Sequence, residues 1–308
     1  MDKFMTILQT ALPVFLALGV GMFARKTQFL TQDHIDGMKK LVINITLPLV
    51  LLSAFASAEY STATLVLPVM TILLCCAALG LGFLILRLCK VKSRLAPFLA
   101  SGFEAGMLGY SFFALLFPQH SLSAFAVLDI GQTLIVFTLF KILISGKTDF
   151  KAILRDMVTS PVLWAVFVGA IIGATGVYRA PYVGSLLDSV CSFLSAPTSM
   201  VILLTIGYDL VLKEIPWKKT IGFIGMRLGI MAVLVTIMIV LNRTVLGGVM
   251  FEGALLLMVI LPPPYVIPVF ADEPSERVVI SSSLSAMTVV TMLLFAVLSV
   301  VISLYPIA

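Results

Sequence analysis

The chain has 308 residues, of which 60% are hydrophobic and only 11% are charged, and its mean hydropathy is +1.15. These values exclude a water-soluble protein and indicate an all-α polytopic membrane protein without a large soluble domain. The net charge of +5 does not indicate nucleic-acid binding, because the basic residues fall in short loops instead of forming one patch.

Apolar runs separated by polar clusters predict ten membrane spans, since a bilayer core about 30 Å thick needs roughly 20 apolar residues per helix. In chain order these spans cover residues 5–24, 38–58, 64–88, 95–117, 122–144, 160–178, 183–211, 220–241, 248–270 and 278–304. All lysine and arginine residues except Lys3, Arg179 and Arg243 fall in or beside the loops that follow odd-numbered spans. The positive-inside rule therefore predicts that the odd-numbered spans end in the cytoplasm and that both termini are non-cytoplasmic. We expect the protein in the cell (inner) membrane.

The spacing of prolines relates the two halves of the sequence. Pro13 and Pro161 are 148 residues apart, and Pro48 and Pro197 are 149 apart. Because each half has an odd number of spans, the halves would enter the membrane from opposite sides, as in an inverted-topology repeat. We therefore predict a first five-helix repeat over 1–145, a cytoplasmic linker over 146–159 and a second repeat over 160–308. Coincidental prolines, which are common in membrane helices, are the alternative.

Span 4 combines glycines with a carboxylate. It reads ASGFEAGMLGYS over residues 100–111, so that Glu104 lies between Gly102 and Gly106. The glycines weaken the helix and permit close packing. A carboxylate inside a membrane span is energetically costly and by default marks a functional site. A protonated acid that only bridges two helices is the structural alternative.

Span 9 contains three consecutive prolines, Pro262, Pro263 and Pro264, followed by Tyr265. No continuous α-helix accommodates them, because each proline lacks an N–H group and clashes with the preceding turn. The span is therefore expected to form two half-helices around unwound backbone, which is typical of a transporter binding site. The alternative is that the span ends near Pro262 and continues as an external loop.

Small polar residues mark two further spans. In span 5, Asp129 and Gln132 are three residues apart and lie on one helical face. They can line an ion or substrate path, or satisfy the broken backbone of span 4. In span 2, Asn44 precedes Pro48, where it can repair the freed backbone of a kink or contact substrate.

These segments together resemble the auxin efflux carrier family, which includes plant auxin exporters and bacterial malonate and malate carriers. The resemblance extends over the whole chain and is most specific at residues 261–265, 271–272 and 281–288, which look like the family's proline crossover and its last span. Span 4 matches the family pattern Asn-Thr-Gly-x-x-Gly-x-Pro more loosely, through Glu104, Ala105, Gly106, Gly109 and Ser111.

The chain departs from that family pattern at three positions. Glu104 replaces the usual asparagine, Ser111 replaces the crossover proline, and Tyr265 stands where small or amide side chains are common. The substrate and the coupling ion therefore do not carry over from any family member. The fold does: the resemblance implies ten helices in two inverted repeats, with spans 1, 2, 6 and 7 as a dimerising scaffold. Spans 3–5 and 8–10 would form a moving transport domain, in which the broken spans 4 and 9 cross and hold the substrate.

We expect a secondary transporter that moves a small organic anion, a carboxylate of the auxin, malonate or malate kind, by alternating access with proton or sodium coupling. Since no lysine or arginine lies clearly at mid-span, the N-terminal ends of half-helices would supply positive charge to the anion. The expected substrate-binding residues are Asn44, Gly106, Gly109, Ser111, Pro263, Pro264 and Tyr265, and the expected coupling-ion residues are Glu104, Asp129 and Gln132. The expected partners are the solute, membrane lipid and a second copy of the chain, without cofactor, metal or nucleic acid.

Two alternatives stay open. A channel or receptor would keep the same fold without alternating access, and a carrier of a neutral or cationic solute would use Glu104 to recognise it. An enzyme is disfavoured, because the chain contains no Gly-x-Ser-x-Gly or His-Glu-x-x-His motif. Tyr208-Asp209 is similar to part of the intramembrane aspartyl protease signature, but the second carboxylate motif that such catalysis needs is missing.

Overall fold

The structure is a computed structural model that describes residues 2–58, 60, 66–145, 159–210, 217–270 and 274–305. Within these ranges the chain is all-helical and contains no β-strand. Six helical segments in the described ranges are long and apolar enough to cross a membrane. They are Gln32–Ala56, Val66–Leu88, Ser123–Ile144, Val183–Asp209, Thr220–Thr244 and Val279–Leu304, and Pro161–Thr175 is a shorter apolar helix. The predicted all-α membrane architecture is therefore confirmed, whereas the linker prediction over 146–159 lies almost entirely outside the described residues.

The first half of the chain contains seven α-helices among its described residues. They are α1 (Asp2–Thr27), α2 (Gln32–Leu41), α3 (Leu47–Ala56), α4 (Val66–Leu88), α5 (Tyr110–Leu116), α6 (Ser123–Ile135) and α7 (Lys141–Ser145). Short π-helical segments join α2 to α3 at Val42–Thr46 and α6 to α7 at Val136–Phe140. The first of these precedes Pro48, where the proline removes one helical hydrogen bond and the helix is locally rewound.

The second half contributes six further helices to the described part. They are α8 (Pro161–Thr175), α9 (Val183–Ser195), α10 (Thr198–Asp209), α11 (Trp217–Thr244), α12 (Glu252–Ile260) and α13 (Pro274–Leu304). Pro161 is the first residue of α8, a position where the missing N–H group has no consequence, and the Ser160 side chain accepts a hydrogen bond from the Leu163 N–H at 3.4 Å. Pro197 separates α9 from α10.

Two predicted spans are interrupted. Span 4 consists of a 3-10 turn, Ala96–Ala100, a non-helical stretch over 101–104, and a π-helical segment, Ala105–Gly109, that continues into α5. Span 9 consists of α12, a non-helical stretch that begins at Leu261, and a single 3-10 turn, Ile267–Phe270. The second α-helical half expected in span 9 is therefore replaced by this turn, because Pro268 follows the three earlier prolines closely and limits helical hydrogen bonding.

Glycines allow helices from the two halves to pack at very short distance. α1 packs against α10, and α3 packs against α8. A Cβ added to Gly21 would lie 2.1 Å from the Leu204 carbonyl oxygen, and one added to Gly169 would lie 2.8 Å from the Leu52 carbonyl oxygen. Both helix pairs therefore depend on positions without a side chain, as is common between membrane helices.

Replacing Gly21 by alanine is expected to destabilise the fold by about 1–3 kcal/mol, because an added methyl group in a closely packed interface forces the backbones apart. Gly19→Ala is the matched control: it lies on the same helix, and its added Cβ would have no neighbour within 4 Å. Thermal unfolding of both purified variants should show a lower melting temperature for Gly21→Ala only. Equal melting temperatures would contradict the close approach of α1 and α10.

Candidate functional site

The two interrupted segments cross and are joined by hydrogen bonds. The backbone N–H of Glu104 donates to the Pro262 carbonyl oxygen at 2.8 Å. In return, the Tyr265 N–H donates to Oε2 of Glu104 at 2.7 Å. Because neither stretch is helical, its backbone groups are available for these contacts between segments. The 9% exposed Glu104 side chain is therefore part of the crossing itself.

Gly102 allows the crossing segments to approach one another. Its φ angle of +68° lies in the left-handed region, and an added Cβ would lie 2.9 Å from Cγ of Pro264. Only glycine adopts this conformation without strain and leaves room for the proline ring. The glycine-rich composition of span 4 thus serves close backbone approach at this position.

Helix α6 supports the crossing with three polar side chains. Oε1 of Gln132 accepts a hydrogen bond from the Phe103 N–H at 3.1 Å. Asp129, which is 7% exposed, accepts hydrogen bonds from the Tyr110 hydroxyl at 2.9 Å and from the Thr133 hydroxyl at 3.2 Å. Gln132 therefore positions the span 4 backbone, and Asp129 is a buried carboxylate one helical turn away.

Helix α13 anchors the other segment. The Thr288 hydroxyl donates to the Leu284 carbonyl oxygen at 2.8 Å, so the Tyr265 hydroxyl, 2.6 Å away, is the donor of the bond between them. The Thr291 hydroxyl donates to the Ile260 carbonyl oxygen at 2.6 Å and satisfies the end of α12. Thr291 was not among the predicted residues. A threonine in an otherwise apolar helix was the feature of the sequence that could have indicated it.

Arg227 is a buried basic residue that the sequence pattern did not single out. The pattern counts it with the basic residues beside the loop that follows span 7, whereas in the structure it lies in α11 with only 2% of its surface exposed. Its guanidinium group donates to the carbonyl oxygens of Leu99, Gly102 and Leu261 at 2.7–3.2 Å. A fixed positive charge therefore binds the backbones of both interrupted segments.

A cavity of about 680 Å³ opens beside the crossing. Six of the predicted site residues line it: Glu104, Gly106, Asp129, Gln132, Pro264 and Tyr265. Four others do not: Asn44, Gly109, Ser111 and Pro263. The volume lies within the range of small-molecule binding sites, which is about 300–1,000 Å³.

The four predicted residues away from the cavity have structural surroundings of their own, and Pro263 among them is buried in the proline run. The Asn44 side chain, in the π-helical segment, donates to the Lys40 carbonyl oxygen near the end of α2 at 2.8 Å. Gly109 packs against the ring of Phe125, which would lie 2.8 Å from an added Cβ. Ser111 is buried in α5 with 3% exposure.

An ion pair also lines the cavity. Nζ of Lys39, at the end of α2, is 2.5 Å from Oδ2 of Asp209, at the end of α10. Both residues line the cavity, and their side chains are 28% and 43% exposed. Beside them, Arg25 donates to the Tyr208 carbonyl oxygen at 3.1 Å. The cavity thus extends from a partly solvated pair of charges to the buried crossing.

Comparison with known proteins identifies the family. Residues 6–152 match the family model described as "Membrane transport protein", which represents the auxin efflux carrier and membrane transport family. Residues 6–152, just under half of the chain, are therefore similar to this family of membrane transport proteins. The resemblance predicted from the sequence is confirmed over these residues, and similarity to a transporter family argues against an enzyme. No curated protein matches the chain.

The match includes Glu104, Asp129 and Gln132, and it ends before Arg227 and the Pro262–Pro264 run. No group of three or more His, Cys, Asp or Glu side chains could hold a metal ion within the parts of the chain that the structure describes. The ionisable side chains that line the cavity include the Lys39–Asp209 pair and the carboxylates of Glu104 and Asp129.

Proposed function

We propose that this protein is a secondary transporter that moves a small solute by alternating access, with the solute held where the interrupted segments cross. The observation that carries this proposal is the cavity of about 680 Å³ that runs from the Lys39–Asp209 pair to Glu104 and Tyr265. Irregular backbone at membrane depth is tolerated where it lines a cavity, and transporters use such backbone for binding. The proposed solute site consists of Glu104, Gly106, Pro264 and Tyr265.

The proposed architecture is ten spans in two inverted repeats, over residues 1–145 and 160–308. The packing of the helices supports it. In the proposed repeat, α8 is the counterpart of α1, and α3 is the counterpart of α10. α1 packs on α10, and α8 packs on α3 in the same way. Such an exchange of partners is what a two-fold relation requires. The positive-inside rule gives non-cytoplasmic termini and puts Lys39 and Asp209 at the cytoplasmic end, so the cavity faces inward. The proposed homodimer rests on the family resemblance alone.

The proposed solute is a small organic carboxylate that is transported with a proton. Lys39 is the single lysine or arginine among the described residues that line the cavity, whereas Glu104, Asp129 and Asp209 are acidic. An anion next to ionised carboxylates would be repelled, so its binding requires that a carboxylate be protonated. Glu104 is the proposed proton carrier, because it lies in the crossing itself, and Asp129 is the second titratable group beside it.

A second candidate is a neutral or cationic solute that Glu104 recognises directly. The excess of acidic over basic side chains in the cavity favours this candidate. The two candidates differ in the solutes that bind and in the direction in which pH changes binding. An amine would bind the ionised carboxylate, whereas a carboxylate would bind the protonated one.

The test is counterflow in proteoliposomes, after a thermal-stabilisation panel has selected a solute from small carboxylates, amines and neutral metabolites. Liposomes loaded with unlabelled carboxylate should transiently accumulate labelled carboxylate above its equilibrium level, because a carrier exchanges solute through one alternately exposed site. Equilibration without accumulation would support a channel and contradict the proposal. Accumulation of amines or neutral solutes only would support the second candidate.

A further inference from the structure

Arg227 makes an unusual set of contacts for an arginine inside a membrane protein. It is one of the largest fully buried side chains, and all of its described hydrogen bonds go to backbone carbonyl oxygens. Nη2 lies 2.7 Å from the Leu261 oxygen and 2.8 Å from the Gly102 oxygen. Nη1 lies 3.2 Å from the Leu99 oxygen.

These three carbonyl oxygens need a partner because of where the helices end. Leu261 directly follows the last residue of α12, and Leu99 lies in the last turn of the Ala96–Ala100 segment. The carbonyl groups at the end of a helix have no intrahelical donor and carry partial negative charge. Gly102 adds a third oxygen from the non-helical stretch that follows. Converging carbonyl oxygens of this kind are also the ligands that alkali cations use in membrane proteins.

We propose that the Arg227 guanidinium group is a built-in cation of the transport site. It occupies the place at these carbonyl oxygens where an inorganic cation would otherwise bind. This inference rests on the proposed function and deepens its account of ion coupling. Arg227 is a positioning residue: it fixes both segments from the carbonyl side, and the Glu104 carboxylate joins them through the Tyr265 N–H. Because a guanidinium group keeps its proton in proteins, this charge is constant while Glu104 exchanges its own.

The consequence is that neither sodium nor potassium is required at these carbonyl oxygens. Sodium should leave the stability of the wild-type protein unchanged relative to choline at equal ionic strength. Removing the guanidinium group should leave three buried carbonyl oxygens that a small cation can bind. The variant would then acquire a cation dependence that the wild-type protein lacks.

The experiment compares Arg227→Ala with the wild-type protein in the presence of guanidinium, sodium, potassium or choline chloride at millimolar concentration. We expect Arg227→Ala to melt at a lower temperature than the wild-type protein and to transport at least about tenfold more slowly. Losses of this size, about tenfold or more, are usual when a group that orients the residues of a site is removed. Guanidinium should restore both properties in a saturable manner, sodium or potassium to a smaller extent, and choline not at all. Guanidinium alone could simply refill the space that the side chain leaves, so the rescue by sodium or potassium, which do not have its shape, is the result that identifies a cation site.

Arg243→Ala is the matched control, because Arg243 lies on the same helix with an exposed side chain that pairs with Glu252. Its melting temperature should show no guanidinium-specific rescue. Arg227→Lys covers the case in which the alanine variant does not fold. One ammonium group cannot reach all three oxygens with the same geometry, so this variant should melt between the other two or gain a weaker cation dependence.

Three results would overturn the proposal. The first is that Arg227→Ala and Arg227→Lys melt and transport like the wild-type protein, and the second is that no cation rescues the destabilised variants. The third is a sodium requirement for the stability of the wild-type protein. The melting measurements need no solute. Failure of counterflow with intact cation rescue would therefore contradict the transport mechanism only, and normal counterflow without rescue would contradict only the role of Arg227.

Discussion

Replacing Glu104 by glutamine should abolish the pH dependence of transport while leaving the protein folded. The amide oxygen of glutamine can still accept the hydrogen bond that the Tyr265 N–H donates to Glu104 at 2.7 Å. The substitution therefore preserves the crossing and removes only the charge and the exchangeable proton. We expect wild-type transport to change on the order of tenfold between its two protonation states, a usual size for coupling between two ligands, and the variant to stay within about twofold. Uptake into proteoliposomes at a series of pH values measures both.

Two matched variants test whether this effect belongs to Glu104. Glu252→Gln removes a carboxylate that pairs with Arg243 and does not line the cavity, so transport should keep its pH dependence. Asp129→Asn changes the second buried carboxylate, whose two oxygens accept from Tyr110 and Thr133. If Glu104→Gln keeps the pH dependence of transport and Asp129→Asn loses it, Asp129 and not Glu104 is the proton carrier.

The parts of the site that follow local rules could be predicted from the sequence. The proline run ends α12 because proline cannot continue a helix, whatever surrounds it. Glu104 stands out because a carboxylate inside a membrane span has a high energetic cost in any fold. Asp129 and Gln132 share a helical face by their spacing alone, and both line the cavity. For these residues the local sequence and the membrane environment are sufficient to predict most of what the structure shows.

Arg227 could not be predicted in the same way, because its partners are distant in sequence. The Leu99 and Gly102 carbonyl oxygens are separated from it by 128 and 125 residues. Read alone, an arginine near a basic loop counts toward the positive-inside rule, which gave it a cytoplasmic position. Only the tertiary structure brings the three carbonyl groups together and makes burial of the charge favourable.

Ser111 and Gly109 illustrate the opposite failure. They align with residues of the family pattern, and their small size suits a binding site as well as a helix contact. In the structure Ser111 is buried in α5, and Gly109 packs against Phe125, so neither lines the cavity. A small side chain gives the same sequence signal for close packing and for substrate access, and only the surrounding helices distinguish the two.

Replacing Gly102 by alanine should be the most damaging single-methyl change at the site. A left-handed backbone costs an alanine roughly 1–2 kcal/mol, and overpacking adds about 1–3 kcal/mol. The new Cβ would lie 2.9 Å from Cγ of Pro264 and 3.0 Å from Oε1 of Gln132. We expect the melting temperature to fall by at least about 5 °C, together with loss of stabilisation by the transported solute. Gly80→Ala, whose added Cβ has no neighbour within 4 Å, should melt like the wild-type protein.

A third variant separates the two causes of the Gly102 effect. Asparagine adopts the left-handed backbone more readily than alanine does, so Gly102→Asn should recover stability if backbone strain were the whole cause. Any side chain, however, introduces a Cβ, and the proline ring that it meets cannot rotate away. We therefore expect Gly102→Asn to melt no higher than Gly102→Ala. A clear recovery would mean that the crossing segments can separate without loss of the fold, which the Arg227 contacts to Gly102 and Leu261 oppose.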